Sequence, residues 1–286
     1  MFFEPIFRCA RWLRDSATTQ ARNALIRVLA AGPVPRHVAF VMDGNRRYAR
    51  MHHMRVQQGH SDGFIALSRM LEICLLLNVR CISAYAFAIE NFKRPPDEVD
   101  ALMHLAEQKL VELCQHGELL QQYGVRLNVL GHIELLAPNI RDAIHKAQEL
   151  TQNNDKAILN LCMPYASRHE IATAVEATVR DAMVSNQLPV QITEKDIDAN
   201  LMTTKGGSPP LDILVRTSGV KRLSDYLLWQ QLIRPSSPSL VIPQPPSVLK
   251  IPRSNSPTRI GPILDCSISY LYSWTINEKY GPCDNL

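Results

Sequence analysis

The chain has 286 residues, 46% of them hydrophobic and 20% charged. That is an ordinary globular composition, and it excludes a wholly disordered, collagen-like or coiled-coil chain. A net charge of +4 is too mild for a nucleic-acid coat, so no nucleic-acid partner is expected. The length allows one large domain or two small ones. The seven cysteines are scattered and form no CxxC pair, which points to reduced thiols facing a cytosol rather than a disulfide frame or a zinc site. No run of about 18 uncharged apolar residues is present, so no transmembrane helix is expected.

Residues 1–32 read as an amphipathic helical arm. Phe2, Phe3, Ile6, Phe7, Trp12 and Leu13 supply apolar bulk, and Arg8, Arg11, Arg14, Arg22 and Arg27 supply positive charge. Two readings stand side by side: an interfacial helix in peripheral contact with a membrane, or a helix packed on the main domain. Gly32, Pro33 and Pro35 then punctuate the chain.

From residue 33 to 230 short runs rich in β-formers alternate with helical periodicity. The strands are expected at His37–Met42, Cys81–Phe87, Val125–Leu130, Ala157–Met163 and Asp212–Arg216. The helices are expected at about 60–78, 97–123, 138–153 and 167–187. This alternation predicts an α/β fold with a mostly parallel central sheet and helices on both faces. Ligands of such sheets bind beyond the carboxyl ends of the strands.

Three clusters follow predicted strands. After the first comes Asp43-Gly44-Asn45-Arg46-Arg47. Gly44 permits a tight turn, the next helix would present free amides to an anion, and Asp43 is an oxygen ligand suited to Mg²⁺. After the second comes Glu90-Asn91-Phe92-Lys93-Arg94-Pro95-Pro96. After the fifth comes Arg216-Thr217-Ser218-Gly219, then Arg222 and Ser224. Each cluster alone reads more readily as an ordinary solvated loop or capped helix start. In a parallel sheet, however, all three converge on one edge. Five arginines (46, 47, 94, 216 and 222) then meet one carboxylate, Asp43, and call for polyanionic company. Two phosphorylated ligands, with Mg²⁺ on one, meet that need. Val38, Phe40, Ala84, Ala86, Leu127 and Val129 alternate behind that edge and are expected to line an apolar cavity. The residues thus point to an enzyme acting on a phosphorylated, greasy substrate.

The same residues carry a family resemblance. His37–Ala49 (HVAFVMDGNRRYA), Gly59-His60, Tyr85–Arg94 (YAFAIENFKR) and Arg216–Gln230 (RTSGVKRLSDYLLWQ) resemble, in order and spacing, the signatures of the cis-prenyltransferases, which include the undecaprenyl and dehydrodolichyl diphosphate synthases. The chain looks most like the eukaryotic catalytic subunit. The resemblance implies a transferase that adds isopentenyl diphosphate to an allylic diphosphate, usually farnesyl diphosphate, with cis stereochemistry. The product would be a long-chain polyprenyl diphosphate for dolichol synthesis and protein glycosylation. It implies Asp43 and Asn91 as catalytic residues, with Asp43 the Mg²⁺ ligand. Gly44, Asn45, Arg46, Arg47 and Arg94 would grip the allylic diphosphate, and Arg216, Arg222 and Ser224 the isopentenyl diphosphate. His60 would sit near the reacting groups. It further implies a Nogo-B-receptor-type accessory subunit or a homodimer, and a place on the cytosolic face of the endoplasmic reticulum, peripheral to the membrane, or in the cytoplasm.

Two departures bear on activity. Val220 stands where the family usually has Glu, and the match stops after Gln230. Residues 231–286 form an atypical tail rich in Pro and Ser, with Pro235 about where a metal-binding Glu is expected. The tail is expected to be largely extended or disordered, with the C-terminal strand and helix of the family missing. A catalytically impaired splice form, or a non-catalytic binding or regulatory subunit on the same fold, is the alternative reading.

Overall fold

The computed structural model describes residues 20, 23–115, 120, 123–185, 188–217, 219–232 and 239–241. Strands β1 (His37–Val41), β2 (Cys81–Tyr85), β3 (Val125–Leu130), β4 (Ala157–Cys162), β5 (Ile213–Arg216) and β6 (Ser239–Val241) form one sheet in the order β3-β4-β2-β1-β5-β6. Every pair is parallel. The central strands are nearly continuous apolar runs, as burial on both faces requires.

Period-2 alternation divides each strand between two cores. Val38, Phe40, Ile82, Ala84 and Leu127 point into one, with Leu67 and Ile144. Ala39, Val41 and Leu214 point into the other, against Tyr165, Tyr226 and Leu227. The first face is covered by α3 (Val56–Leu76), α4 (Pro96–Gln115) and α5 (Pro138–Thr151), each of which contributes apolar residues to that core. Full burial of one such Leu or Ile contributes about 1.5–3 kcal/mol. Further along lie α6 (Ser167–Val184), α7 (Glu194–Asn200), α8 (Met202–Lys205) and α9 (Leu228–Leu232).

The five expected strands are present within two residues at each end, and the four expected helices are present with shifted bounds. Helix α4 is described over Pro96–Gln115; residues 116–119 and 121–122, toward its expected end near 123, lie outside the described residues, and Leu120 between them is helical. Helices α7 and α8 have no counterpart in the sequence reading. They are seven and four residues long, too short for a periodic signal.

Of the N-terminal arm, residues 23–30 are described. They form a helix, α1, with Ile26 buried and Leu29 packed on the first core. This end of the arm packs on the main domain. Most of the arm, residues 1–19, lies outside the described residues, as do 242–286 of the tail. The tail does yield one difference: Ser239–Val241 adds to the edge of β5, so a sixth strand is present. It holds no proline, which leaves every amide free to join a ladder.

Candidate functional site

The parallel register builds the site. Val41 pairs with Arg216 on one side and with Tyr85 on the other. The segments that follow β1, β2 and β5 therefore leave the sheet side by side, as the sequence predicts.

Beyond β1 the chain turns at Gly44, whose φ of 100° suits glycine. Helix α2 (Asn45–Met51) starts there. Thr217 fixes the turn: its Oγ1 accepts from the Asp43 amide at 3.0 Å and donates to the Asp43 carbonyl at 2.8 Å. Asp43 Oδ1 accepts from the Gly44 amide at 2.7 Å. Its Oδ2 accepts from Arg216 Nη2 at 2.7 Å, and Arg47 lies 3.9 Å away. Helix α2 lies tight on α3. A Cβ at Gly59 would meet the Asn45 carbonyl oxygen at 2.5 Å, and one at Gly63 the Asn45 side chain at 2.7 Å. These two glycines set where Asn45 stands.

Arg216 is almost fully buried, and its Nη1 donates to the Arg222 carbonyl and, at 2.9 Å, to Ser224 Oγ. Ser224 and Asp225 both have left-handed backbones, with φ of 52° and 57°. Ser218 lies outside the described residues.

The segment after β2 forms a 3₁₀ turn, Ile89–Lys93, that carries Asn91, and Arg94 follows it. Here the structure supplies a residue that the sequence reading missed. Glu98, on the first turn of α4, is buried and accepts from Arg94 Nη1 at 2.9 Å, with Arg46 at 3.7 Å. The sequence reading counted one carboxylate against five arginines. Glu98 joins Asp43, and each holds two of those arginines: Asp43 takes Arg216 and Arg47, and Glu98 takes Arg94 and Arg46. The signal in the sequence was the i,i+4 spacing of Arg94 and Glu98.

His60 faces the second pair. Its Nε2 is 3.5 Å from Glu98 Oε1, too long for a good hydrogen bond, and is buried without a hydrogen-bond partner among the described residues. Burial pulls the His60 pKa below its ordinary value, more strongly than Glu98 raises it. The imidazole is therefore neutral at pH 7. Arg216 Nε is a second buried donor without a described partner. Such orphans at a cavity suit an anionic ligand.

Asp43 and the two arginine pairs open on one cavity of about 1430 Å³, larger than the roughly 300–1,000 Å³ typical of small-ligand pockets, while Glu98 and Thr217 hold them without lining it. Asp43, Gly44, Asn45, Arg46, Arg47 and His60 line its polar end. Asn91, Arg94, Arg216, Arg222 and Ser224 line that end too, so every site residue expected from the sequence converges there. The body of the cavity is apolar and runs between α3 and α4 over the sheet, past Phe64, Leu71, Leu75, Met103 and Leu161. The expected lining needs correction. Of Val38, Phe40, Ala84, Ala86, Leu127 and Val129, only Ala86 lines the cavity. The other five pack in or against the first core, because helix side chains cover those strand positions. Ile82, Val125, Leu159 and Leu161 supply the sheet's contribution.

The donor set fits Mg²⁺ in one way. Among the described residues no three His, Cys, Asp or Glu side chains converge into a metal cage. A single carboxylate opening on a phosphate-binding rim is nonetheless how this ion is often held, with the substrate's oxygens and water completing the shell. Asp43, a quarter exposed, is placed to serve as such a carboxylate.

Comparison with known proteins gives the family. Residues 41–236 match the family model for undecaprenyl diphosphate synthases. The chain is 47% identical over 220 residues to a dehydrodolichyl diphosphate synthase complex subunit of Schizosaccharomyces pombe, covering 77% of this chain and 81% of that protein. It is 43% identical to the human subunit of that name over 77% of this chain, and it spans 65% of the human protein's length. Among solved structures, lavandulyl diphosphate synthase from Lavandula x intermedia, in complex with dimethylallyl diphosphate, superposes with a TM-score of 0.67 at 28% identity. The match covers 73% of this chain and 86% of that one.

Proposed function

The chain belongs to the cis-prenyltransferase family, and on that footing we propose that it condenses isopentenyl diphosphate onto an allylic diphosphate to make a long-chain cis-polyprenyl diphosphate for dolichol. One observation carries the proposal: two carboxylate–arginine sets meet at the mouth of a long apolar cavity. A diphosphate with a growing hydrocarbon chain is the ligand with that shape and charge.

Gly44, Asn45, Arg46, Arg47 and Arg94 grip the allylic diphosphate, farnesyl diphosphate being the starting unit. Arg216, Arg222 and Ser224 hold isopentenyl diphosphate. The 2.7 Å contact between Asp43 and Arg216 joins the two grips, so the two ligands lie next to each other. The C–O bond of the allylic diphosphate breaks and the isopentenyl double bond attacks that carbon. A proton then leaves the neighbouring carbon. Asp43 would hold Mg²⁺, which when bound offsets diphosphate charge and assists its departure. Asn91 stands at the cavity and orients the group that loses the proton. Its amide is too weak a base to take the proton, so a phosphate oxygen or water accepts it. His60 offers a further hydrogen-bonding group at this end of the cavity. Each five-carbon unit buried adds roughly 4 kcal/mol at ~0.8 per carbon, which keeps intermediates bound between additions.

The relatives' names as complex subunits support a partner subunit; our reading makes it an accessory subunit of the Nogo-B-receptor type and puts the work at the endoplasmic reticulum, in the service of protein glycosylation. None of the described helices is long and apolar enough to cross a membrane, which is compatible with peripheral attachment.

The test is incorporation of labelled isopentenyl diphosphate onto farnesyl diphosphate with Mg²⁺, in the parent chain and in Asp43→Ala. Product lost in the variant supports the reading. A second reading, a binding subunit without turnover, is favoured by Val220, an apolar residue on the cavity wall beside Arg216 and Arg222. Tight binding of both diphosphates with no product would select it.

A further inference from the structure

The loop that carries Ser224 has an improbable backbone. Ser224, Asp225 and Leu227 all adopt positive φ, at 52°, 57° and 48°, and none is glycine. Left-handed conformations of this kind persist only where surrounding contacts over-determine them. Those contacts come from the N-terminus of α6. Asp225 Oδ1 accepts from the Arg168 amide at 3.0 Å, and its Oδ2 accepts from Arg168 Nε at 3.1 Å. The Asp225 carbonyl accepts from the Ser167 amide at 2.8 Å. In return Ser167 Oγ accepts from the Leu228 amide at 2.8 Å. From below, Tyr85 stacks on Tyr226 with ring centres 4.4 Å apart, and its hydroxyl reaches the Ser224 carbonyl at 3.3 Å. Ser224 Oγ in turn receives Arg216 Nη1.

We propose that Asp225 is a positioning residue of the isopentenyl-diphosphate grip: clamped on Ser167 and Arg168, it locks Ser224 in the left-handed turn that aims its hydroxyl and Arg216 at the ligand. The inference rests on the assignment of Arg216 and Ser224 to that ligand. Asp225 also lines the cavity, but both of its carboxylate oxygens are taken by Arg168, so it acts through Ser224. The Asp225 carboxylate is mostly shielded while Arg168 is 78% exposed, so the brace is a fixed anchor on the carboxylate side and a free guanidinium edge on the cavity wall.

The experiment is calorimetric binding to the full chain of isopentenyl diphosphate and, separately, of farnesyl diphosphate, each with Mg²⁺. Asp225→Ala is expected to weaken isopentenyl diphosphate about tenfold and to leave farnesyl diphosphate within about twofold. Asp225→Asn keeps an acceptor for the Arg168 amide but not for its guanidinium, so it is expected to recover part of the loss. Arg168→Ala removes the same half of the brace from the other side and serves if Asp225→Ala fails to fold. A purely structural role would lower the bound fraction for both ligands alike, with no recovery in Asp225→Asn, and would overturn the proposal. Ser224→Ala separates the two layers. If it weakens isopentenyl diphosphate while the Asp225 and Arg168 variants bind like the parent, the brace is wrong and the site assignment stands. If Ser224→Ala also binds like the parent, the assignment fails and the brace with it.

Discussion

Asp43 and Glu98 do the same electrostatic work in two places. Each holds two arginines that would otherwise repel each other across the rim. Asp43→Ala is expected to lower turnover by about 10²–10³, the usual cost of losing a positioned electrostatic group. Glu98→Gln loosens Arg46 and Arg94 rather than Asp43. It is expected to weaken the allylic diphosphate about tenfold, on the scale of one charge-assisted hydrogen bond, and to leave isopentenyl diphosphate binding unchanged. Equal loss for both ligands in a binding titration would contradict that division. His60 gives a pH signature. Its pKa lies below 6.5 in the folded chain because burial disfavours the charged ring. The unfolded chain therefore binds more protons just below pH 6.5, and stability falls as pH drops through that value toward the folded pKa. Above it the contribution is fully present. His60→Gln is expected to flatten this acid limb in denaturant melts between pH 7 and 5. Asp43 was legible in the sequence because it follows a strand and precedes Gly-Asn-Arg-Arg. Glu98 was not, because an acidic pair at a helix start reads first as a dipole signal, and only the fold brings Arg46 to it.

At the scale of elements, the close approach of α2 to α3 places Asn45. Gly59→Ala would drive a methyl into the Asn45 carbonyl at 2.5 Å and the Ala49 Cβ at 2.9 Å. Backbone cannot yield cheaply there, so α2 must shift, at a cost of about 1–3 kcal/mol. Loss of allylic diphosphate binding is expected with the sheet intact by circular dichroism. Gly32→Ala, with only one contact at 3.5 Å, is the control expected to change neither. The buried cysteines of helix and sheet offer a second check. Cys74 and Cys81 are buried, and burial raises their pKa to about 12; Cys162 is raised further. All three are expected to resist alkylation at pH 8 in the native chain and to react on unfolding, read site by site by mass spectrometry. Strands and long helices were legible because their periods are strong. The lining of the cavity was not. Alternation tells which face a strand residue takes, but not whether a helix side chain such as Leu67 has already covered it.

For the whole molecule, the parallel register turns three separate loops into one rim, and the cavity between α3, α4 and the sheet gives that rim its apolar depth. The order of motifs along the chain made this convergence readable before any coordinates, since a parallel sheet delivers every strand end to the same edge. The edge strand β6 was not readable, because three residues among prolines carry no periodic signal. The most direct measurement is product analysis. The chain, co-expressed with an accessory subunit of the Nogo-B-receptor type, is given farnesyl diphosphate, Mg²⁺ and ¹³C-labelled isopentenyl diphosphate, and products are read by mass spectrometry and NMR. A ladder rising by five carbons with cis double bonds in every added unit is the expected result. No elongation from a folded chain that binds both diphosphates, or trans double bonds in the added units, would contradict it.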